Sequence, residues 1–222
     1  MAHVTRNFER PSKRSIELMS QYSPATIHEA QGKRGALDYQ IKPIKPGLKL
    51  CGPAITAQCH IGDNLMIFQA IELAQPGDVL VLSAGNNPSQ GGFGDVLAAA
   101  CIGRGIAGLV IDASVRDGAG LRSIGFPVFS LGLCIKGTSK DTLGTINQPI
   151  MVGGEYIRPG DIICGDDDGV VVVREDDVET FAKTCQARDD AENKLIEQHR
   201  KGQLDFQERH EMMASKGCIW ED

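Results

Sequence analysis

No run of basic residues in this chain is longer than two, and its 23 Lys and Arg are outnumbered by 29 Asp and Glu, giving a net charge of −6. Phosphate backbones need a concentrated cationic footprint, so nucleic acid is not expected as a main ligand. Apolar runs stop at about eight residues, below the roughly 20 that a membrane-spanning helix requires, so no membrane partner is expected. The opening residues, Met-Ala-His-Val-Thr-Arg, lack the apolar centre of a signal peptide, which points to the cytoplasm. The seven cysteines are odd in number, with no Cys-x-x-Cys and no Cys or His pair at zinc-finger spacing. They read as small buried hydrophobes in a reducing compartment, with neither a disulfide framework nor a zinc cluster expected.

Further absences narrow the chemistry. No lysine occurs between Lys49 and Lys136, so none stands near the central glycine-rich segment in sequence to form a Schiff base with a keto acid. No histidine occurs between His60 and His199, and there is no Gly-x-Ser-x-Gly, which argues against a serine hydrolase. Gly92-Phe93-Gly94 is not followed by the third glycine of a dinucleotide-binding turn.

What is present reads as one α/β domain over residues 1–222, long enough to bury most of its apolar surface. A short helix is expected within 11–20, with Ile16, Leu18 and Met19 on one side. Ser23 as cap and Pro24 at the first position start a second helix, whose His28 and Glu29 suit either a partly exposed face or a functional role. Residues 51–59 form a strand, and Asp63 caps a helix over 65–74 with Met66, Ile67, Ala70, Ile71 and Ala74 as its apolar stripe. Val79-Leu80-Val81-Leu82-Ser83 is a continuous apolar strand suited to cover on both faces. A loop over 86–92, a helix over 95–103, a strand over 109–113, a short helix over 121–124 and a strand over 125–129 follow.

Residues 142–173 are strand-rich and expected to form a second sheet layer, in which Pro159-Gly160-Asp161 repeats the form of Pro76-Gly77-Asp78. Asp166-Asp167-Asp168-Gly169 lacks the alternating acids and distal Glu of a calcium loop and reads as a turn between strands. A charged helix covers 175–201 and stops at Gly202. The amphipathic tail over 204–222, with Met212, Met213, Ile219 and Trp220, is expected to cover a neighbouring subunit.

The chemistry gathers around Gly91-Gly92-Phe93-Gly94-Asp95 and, after twenty intervening residues, Arg116-Asp117. A glycine-rich turn opening a helix leaves main-chain amides free for a carboxylate, here those of Val96 and Leu97. Magnesium or manganese takes carboxylate and water oxygens, which Asp117 and Asp95 supply directly or through water. Arg116 offers a fixed fork of donors to a carboxylate or enolate oxygen. The expected ligand is a 2-oxo acid chelating a metal. Taken alone, the Arg-Asp pair is also compatible with a surface ion pair worth ~0–1 kcal/mol.

Together with His28-Glu29-Ala30-Gln31-Gly32, Gly62-Asp63-Asn64, Gly125-Phe126-Pro127-Val128 and the Glu192–Gly202 helix end, this pattern covers nearly the whole chain. It resembles the class II pyruvate aldolases that cleave 4-hydroxy-4-methyl-2-oxoglutarate and 4-carboxy-4-hydroxy-2-oxoadipate. The resemblance implies an αββα layered sandwich, a fold shared with the regulator of ribonuclease E activity. That non-catalytic binding protein is the alternative reading of function.

For the enzyme, the resemblance implies that Asp117 ligates Mg2+ or Mn2+ and that Arg116 meets the keto oxygen and the enolate formed from it. Asp95 holds a metal-bound water, and Gly94, Val96 and Leu97 frame the pyruvate carboxylate. Asn64 contacts substrate. Glu192 reaches the metal's waters in a neighbouring subunit, so the assembly is a homotrimer or hexamer with intersubunit sites. Retro-aldol cleavage to pyruvate and a second oxo acid is implied, with oxaloacetate decarboxylation as a side activity through the same enolate. Some relatives follow Arg-Asp with two residues and then an acid; here Gly118-Ala119-Gly120 intervenes, with no acid.

Overall fold

Period-two alternation within the strands decides how this chain layers. The structure, a computed structural model, describes residues 2–221. Its elements begin with β1 (His3–Val4), α1 (Lys13–Met19), α2 (Pro24–Ala30), β2 (Lys42–Pro43), β3 (Leu50–Gln58) and α3 (Leu65–Leu73). The centre holds β4 (Val79–Gly91), α4 (Asp95–Gly103), β5 (Gly108–Val115), α5 (Gly118–Ile124), β6 (Val128–Ser130) and β7 (Gly132–Leu133). Then come β8 (Thr145–Ile146), β9 (Ile150–Val152), β10 (Glu155–Ile157), β11 (Ile162–Asp166), β12 (Gly169–Val173), α6 (Val178–Arg200) and α7 (Gln207–Ser215). The chain forms two compact units, one ending at Cys185 and the other starting at Gln186.

In the first unit, β3, β4, β5 and β6 pair in parallel, with α3, α4 and α5 as the successive crossovers. Leu80, Leu82, Leu109 and Ile111 pack with Met66, Ile67, Ala70, Leu97, Ala98 and Leu121 of those helices. The intervening residues Val79, Val81 and Val110 face the opposite side, against Ile150, Val152, Ile163, Val170 and Val172. Ile162, Cys164, Val171 and Val173 of that second layer then face Met19, Ile27, Val178, Ala182 and Cys185. Helices, parallel sheet, second strand layer and helices therefore stack in the αββα order.

One strand serves both sheet layers. Leu50–Pro53 of β3 pairs antiparallel with β11, whereas its following residues, Ala54 to Gln58, pair parallel with β4. The strand-rich region is divided differently from the expectation, because β8 joins the first layer between β1 and β3. The two Pro-Gly-Asp segments form equivalent turns. Asp78 accepts from the Gln75 amide at 2.8 Å and Asp161 from the Arg158 amide at 2.8 Å. Asp78 also holds Arg10 through two bonds of 2.8 and 2.7 Å.

Several boundaries differ from those expected. The loop placed at 86–92 is largely strand, since β4 continues to Gly91 with register shifts at Asn87 and Gly91. Buried Asp112 of β5 accepts the Ala84 amide within the first of these irregularities. Serving the amides of Ala84 and Asn86 takes the place of regular ladder bonds; burial nevertheless raises the Asp112 carboxyl above its usual range. The strand expected over 125–129 begins only at Val128. Asp166-Asp167-Asp168-Gly169 does turn between β11 and β12, with the Asp168 amide donating to Asp166 at 2.9 Å.

Candidate functional site

The first crossing point of glycine turn, helix and strand end lies after β4. Phe93, fully buried and stacked on Phe126 with ring centroids 6.1 Å apart, anchors the turn between Gly92 and Gly94. Its carbonyl accepts the Arg116 amide at 2.8 Å, which joins the turn to the end of β5. Gly94 is the cap residue of α4 and supplies no side-chain bond to the helix start. The amides of Asp95, Val96 and Leu97 therefore lie in the helix's first turn, where no intrahelical acceptor exists, and the positive end of the helix dipole is open.

Arg116 and Asp117 follow β5 directly. Their side chains are half-exposed and meet each other at 3.3 Å, Arg116 Nε to Asp117 Oδ2. Asp117 occupies the left-handed region at φ 56° and ψ 40°, as cap residue of α5. A non-glycine residue there stores backbone strain, which recurs where a side chain has to be aimed. Gly94 leaves room for this carboxylate, because a Cβ on it would overlap Asp117 Oδ2 where it now stands. Asp95 points toward the start of α5, where a Cβ on Gly120 would come within 2.8 Å of its Oδ2. Gly120 thus leaves room for the Asp95 carboxylate.

Asn64, Gly94, Val96, Leu97, Arg116 and Asp117 all line one cleft of about 250 Å3. Asn64 is buried; its Nδ2 donates to the Gly92 carbonyl at 2.9 Å, which leaves Oδ1 as a buried acceptor with no partner. Such a group is costly unless a ligand or water supplies a donor. Asp95 and Asp117 are the carboxylates available here to a hard cation. Among the described residues, no group of three or more His, Cys, Asp and Glu side chains is arranged to hold a metal ion.

The far wall was not legible beforehand. Thr138 and Lys140 line the same cleft. No lysine stands near along the chain, but Lys140 does in space, because residues 136–142 fold back over the glycine turn. Gly91 donates to the Lys136 carbonyl at 2.8 Å, and Asn64 to that of Ser139 at 3.1 Å. Asp63 fastens the segment. Its Oδ2 accepts from Ser139 Oγ at 2.8 Å and from the amides of Asp141 and Thr142 at 2.7 and 3.0 Å. Its Oδ1 accepts the Leu65 amide at 2.8 Å, so the side chain serves the helix start as expected, although Asn64 is the cap residue. Burial alone would raise the Asp63 carboxyl, but these four bonds outweigh it and hold the value down at about 2.

Other residues singled out in the sequence lie elsewhere. His28 Nδ1 contacts the Arg34 carbonyl at 3.1 Å, and Glu29 pairs with Lys33 at 3.8 Å, bonds that finish α2 locally. Glu192 belongs to the second unit and pairs with Arg188 at 2.8 Å.

Known proteins share this architecture. Residues 24–172 match the family described as RraA-like, Aldolase/RraA. A Halalkalibacterium halodurans protein provisionally named 4-hydroxy-4-methyl-2-oxoglutarate aldolase is 38% identical over 191 residues, covering 83% of this chain and 91% of its own. Among solved structures, Streptomyces coelicolor RraAS2, described as an unusual member of the RNase ES inhibitor RraA family, matches with TM-score 0.76 and 28% identity. That match covers 84% of this chain and 98% of RraAS2. An uncharacterized Pseudomonas syringae protein matches in fold with TM-score 0.79 and 24% identity, covering 89% of this chain and 97% of its own. The domain-length match and the shared αββα layers lead to one assignment: this chain belongs to the Aldolase/RraA family.

Proposed function

We propose that this chain is a divalent-metal-dependent aldolase. It cleaves a 4-hydroxy-2-oxo acid with two or three carboxylates, such as 4-hydroxy-4-methyl-2-oxoglutarate or 4-carboxy-4-hydroxy-2-oxoadipate, to pyruvate and a second oxo acid. The observation that carries this reading is the convergence at Gly94. Its missing Cβ lets the Asp117 carboxylate and Arg116 sit against a helix start whose amides have no cap. The 38% identity to a provisionally named aldolase supports a lyase at the family level.

Asp117 would hold Mg2+ or Mn2+, with Asp95, and Glu192 of a neighbouring copy, reaching it through water. One carboxylate with substrate and water oxygens suits such an ion, which often keeps several waters. When bound, it supplies a Lewis acid for the 2-oxo acid oxygens. Each residue of this chain then has a stated task. The Val96 and Leu97 amides receive the C1 carboxylate. A water in the site takes the C4 hydroxyl proton as the C3–C4 bond breaks, and Arg116 donates to the C2 oxygen, where negative charge gathers; one such donor is typically worth about 2.7–4 kcal/mol. Asn64 Oδ1 accepts from the C4 hydroxyl or from a water. Asp95 orients the water that returns a proton to C3. Lys140 faces the distal carboxylate, and the same C2 charge allows oxaloacetate to lose CO2 as a side reaction.

The test is pyruvate release from both hydroxy-oxo acids and from oxaloacetate, with Mg2+ or Mn2+ and again after chelation. Metal-dependent pyruvate is expected, and Asp117→Ala should abolish it while circular dichroism stays unchanged. Pyruvate formation that survives chelation, or normal turnover in Asp117→Ala, would overturn the metal role. Borohydride with pyruvate should not trap Lys140, because the lysine is exposed rather than desolvated as a Schiff-base amine is. A second reading, inhibition of an RNA-degrading enzyme, is favoured by the likeness to RraAS2. It requires ribonuclease inhibition that Asp117→Ala leaves intact.

A further inference from the structure

Cys51 and Cys164 play no part in the cleft described above. They are directly opposed across β3 and β11, and their sulfurs lie 3.5 Å apart. The ladder places them in a favourable pair type. Ala54 donates to the Asp161 carbonyl at 2.8 Å, and Pro53, opposite Ile162, has no N–H to give. Hydrogen-bonded and non-hydrogen-bonded pairs alternate along an antiparallel ladder, so Cys51–Cys164, two positions from Pro53–Ile162, is also non-hydrogen-bonded. Cα atoms in such pairs are about 4.5 Å apart and their side chains are closest. That separation falls within the roughly 4.4–6.8 Å span of disulfides, so side-chain rotation can bring the sulfurs to the bond length of about 2.05 Å.

Both line a cleft of about 470 Å3 together with Lys49, Tyr22 and Asp166, but they differ in exposure: Cys51 is half-buried and Cys164 is buried. The hydrogen bond from Cys164 lowers the Cys51 thiol below its usual value despite burial, and the same bond raises Cys164. By contrast, burial pushes Cys59 and Cys101 up to about 12, which keeps them as inert thiols.

We propose that Cys51 and Cys164 form a thiol-oxidation site for small hydroperoxides, with Cys51 as the attacking sulfur and Cys164 as its resolving partner. The Cys51 thiolate attacks one peroxide oxygen; an S–O bond forms, the O–O bond breaks, and the other oxygen leaves as an alcohol after taking a proton. The Cys164 sulfur then displaces the hydroxyl of the Cys51 sulfenic acid, which departs as water with the Cys164 proton. Two thiols and one hydroperoxide yield one disulfide, one water and one alcohol (a second water when the peroxide is hydrogen peroxide), with two electrons passing from sulfur to peroxide. A small thiol reverses the change by exchange. The resulting bond fastens β3, the strand shared by both sheet layers, to β11.

The full chain, fully reduced, is treated with hydrogen peroxide, quenched by alkylation and mapped without reductant by mass spectrometry. A cross-linked Cys51–Cys164 peptide lighter by two hydrogens is expected, forming before exposed Cys218 is consumed and disappearing with dithiothreitol. Cys164→Ser should accumulate a dimedone-reactive sulfenic acid at Cys51, and Cys51→Ser should leave Cys164 an unoxidised thiol. The proposal is overturned if both residues remain alkylatable after Cys218 has oxidised, or if Cys51 bridges to a different cysteine. Wild-type mapping alone decides this if either serine variant fails to fold.

Discussion

A methyl group on Gly94 would occupy the space of Asp117 Oδ2, so this glycine is a steric condition for the site as well as a helix cap. If Asp117 holds the metal as proposed, Gly94→Ala should retain the fold and lose about 10–100-fold in metal affinity or turnover, the usual effect of displacing a ligand's support. Titration of Mg2+ or Mn2+ against pyruvate release checks this, and unchanged metal affinity and rate would remove the steric role. Lys140 adds a second exposed cation to the cleft that Arg116 lines. Lys140→Ala is expected to raise KM for a hydroxy-oxo acid with a distal carboxylate by about tenfold, roughly 1.4 kcal/mol, with kcat nearly constant. Equal loss in kcat and kcat/KM would instead place Lys140 in the chemical step.

At the scale of elements, Asp63 couples the start of α3 to the segment that carries Thr138 and Lys140 over the cleft. Its carboxyl is held at about 2, below its ordinary 3.8, so the folded protein releases this proton more readily than the unfolded chain. The resulting stability is present above the unfolded value and is lost as pH falls through the folded one. Denaturant titrations should therefore show the wild type losing stability between about pH 4 and pH 2 by a component missing from Asp63→Asn. At neutral pH that variant should be destabilised by about 1.5–3 kcal/mol, because its amide presents a donor to N–H groups that need an acceptor. Identical pH profiles would show that the carboxylate contributes no such component.

For the whole molecule, the inward and outward faces of β4, β5, β11 and β12 produce the layered stack, and β3 joins its two strand layers. The Glu192 proposal belongs at this scale because it needs more than one copy of the chain. If Glu192 serves a neighbour's site, Asp117→Ala and Glu192→Ala should each be inactive alone, yet co-expressed subunits should regain measurable aldolase activity. Mixed assemblies then contain some sites with both residues intact. No recovery in verified mixed oligomers would place both residues in one chain's site.

Most elements are legible in the sequence, since their signals are local. Ser23-Pro24 starts α2 as expected, and the apolar stripe from Met66 to Ala74 is buried along α3. The glycine turn entering a helix at Asp95 also reads directly, because a missing side chain and a helix start are properties of adjacent residues. The pairing of Asp95 with Arg116-Asp117 was legible only as a spacing that resembles a family, since twenty residues of chain do not specify a distance. Tertiary structure alone decided that β4 runs on to Gly91, because Asn87 and Gly91 find partners in Ala113 and Ser114 of β5. It alone brought Lys140 to the cleft through Asp63, and Cys51 against Cys164 through strand register. Each of these contacts joins residues far apart in the chain, and packing of the layers sets their distance.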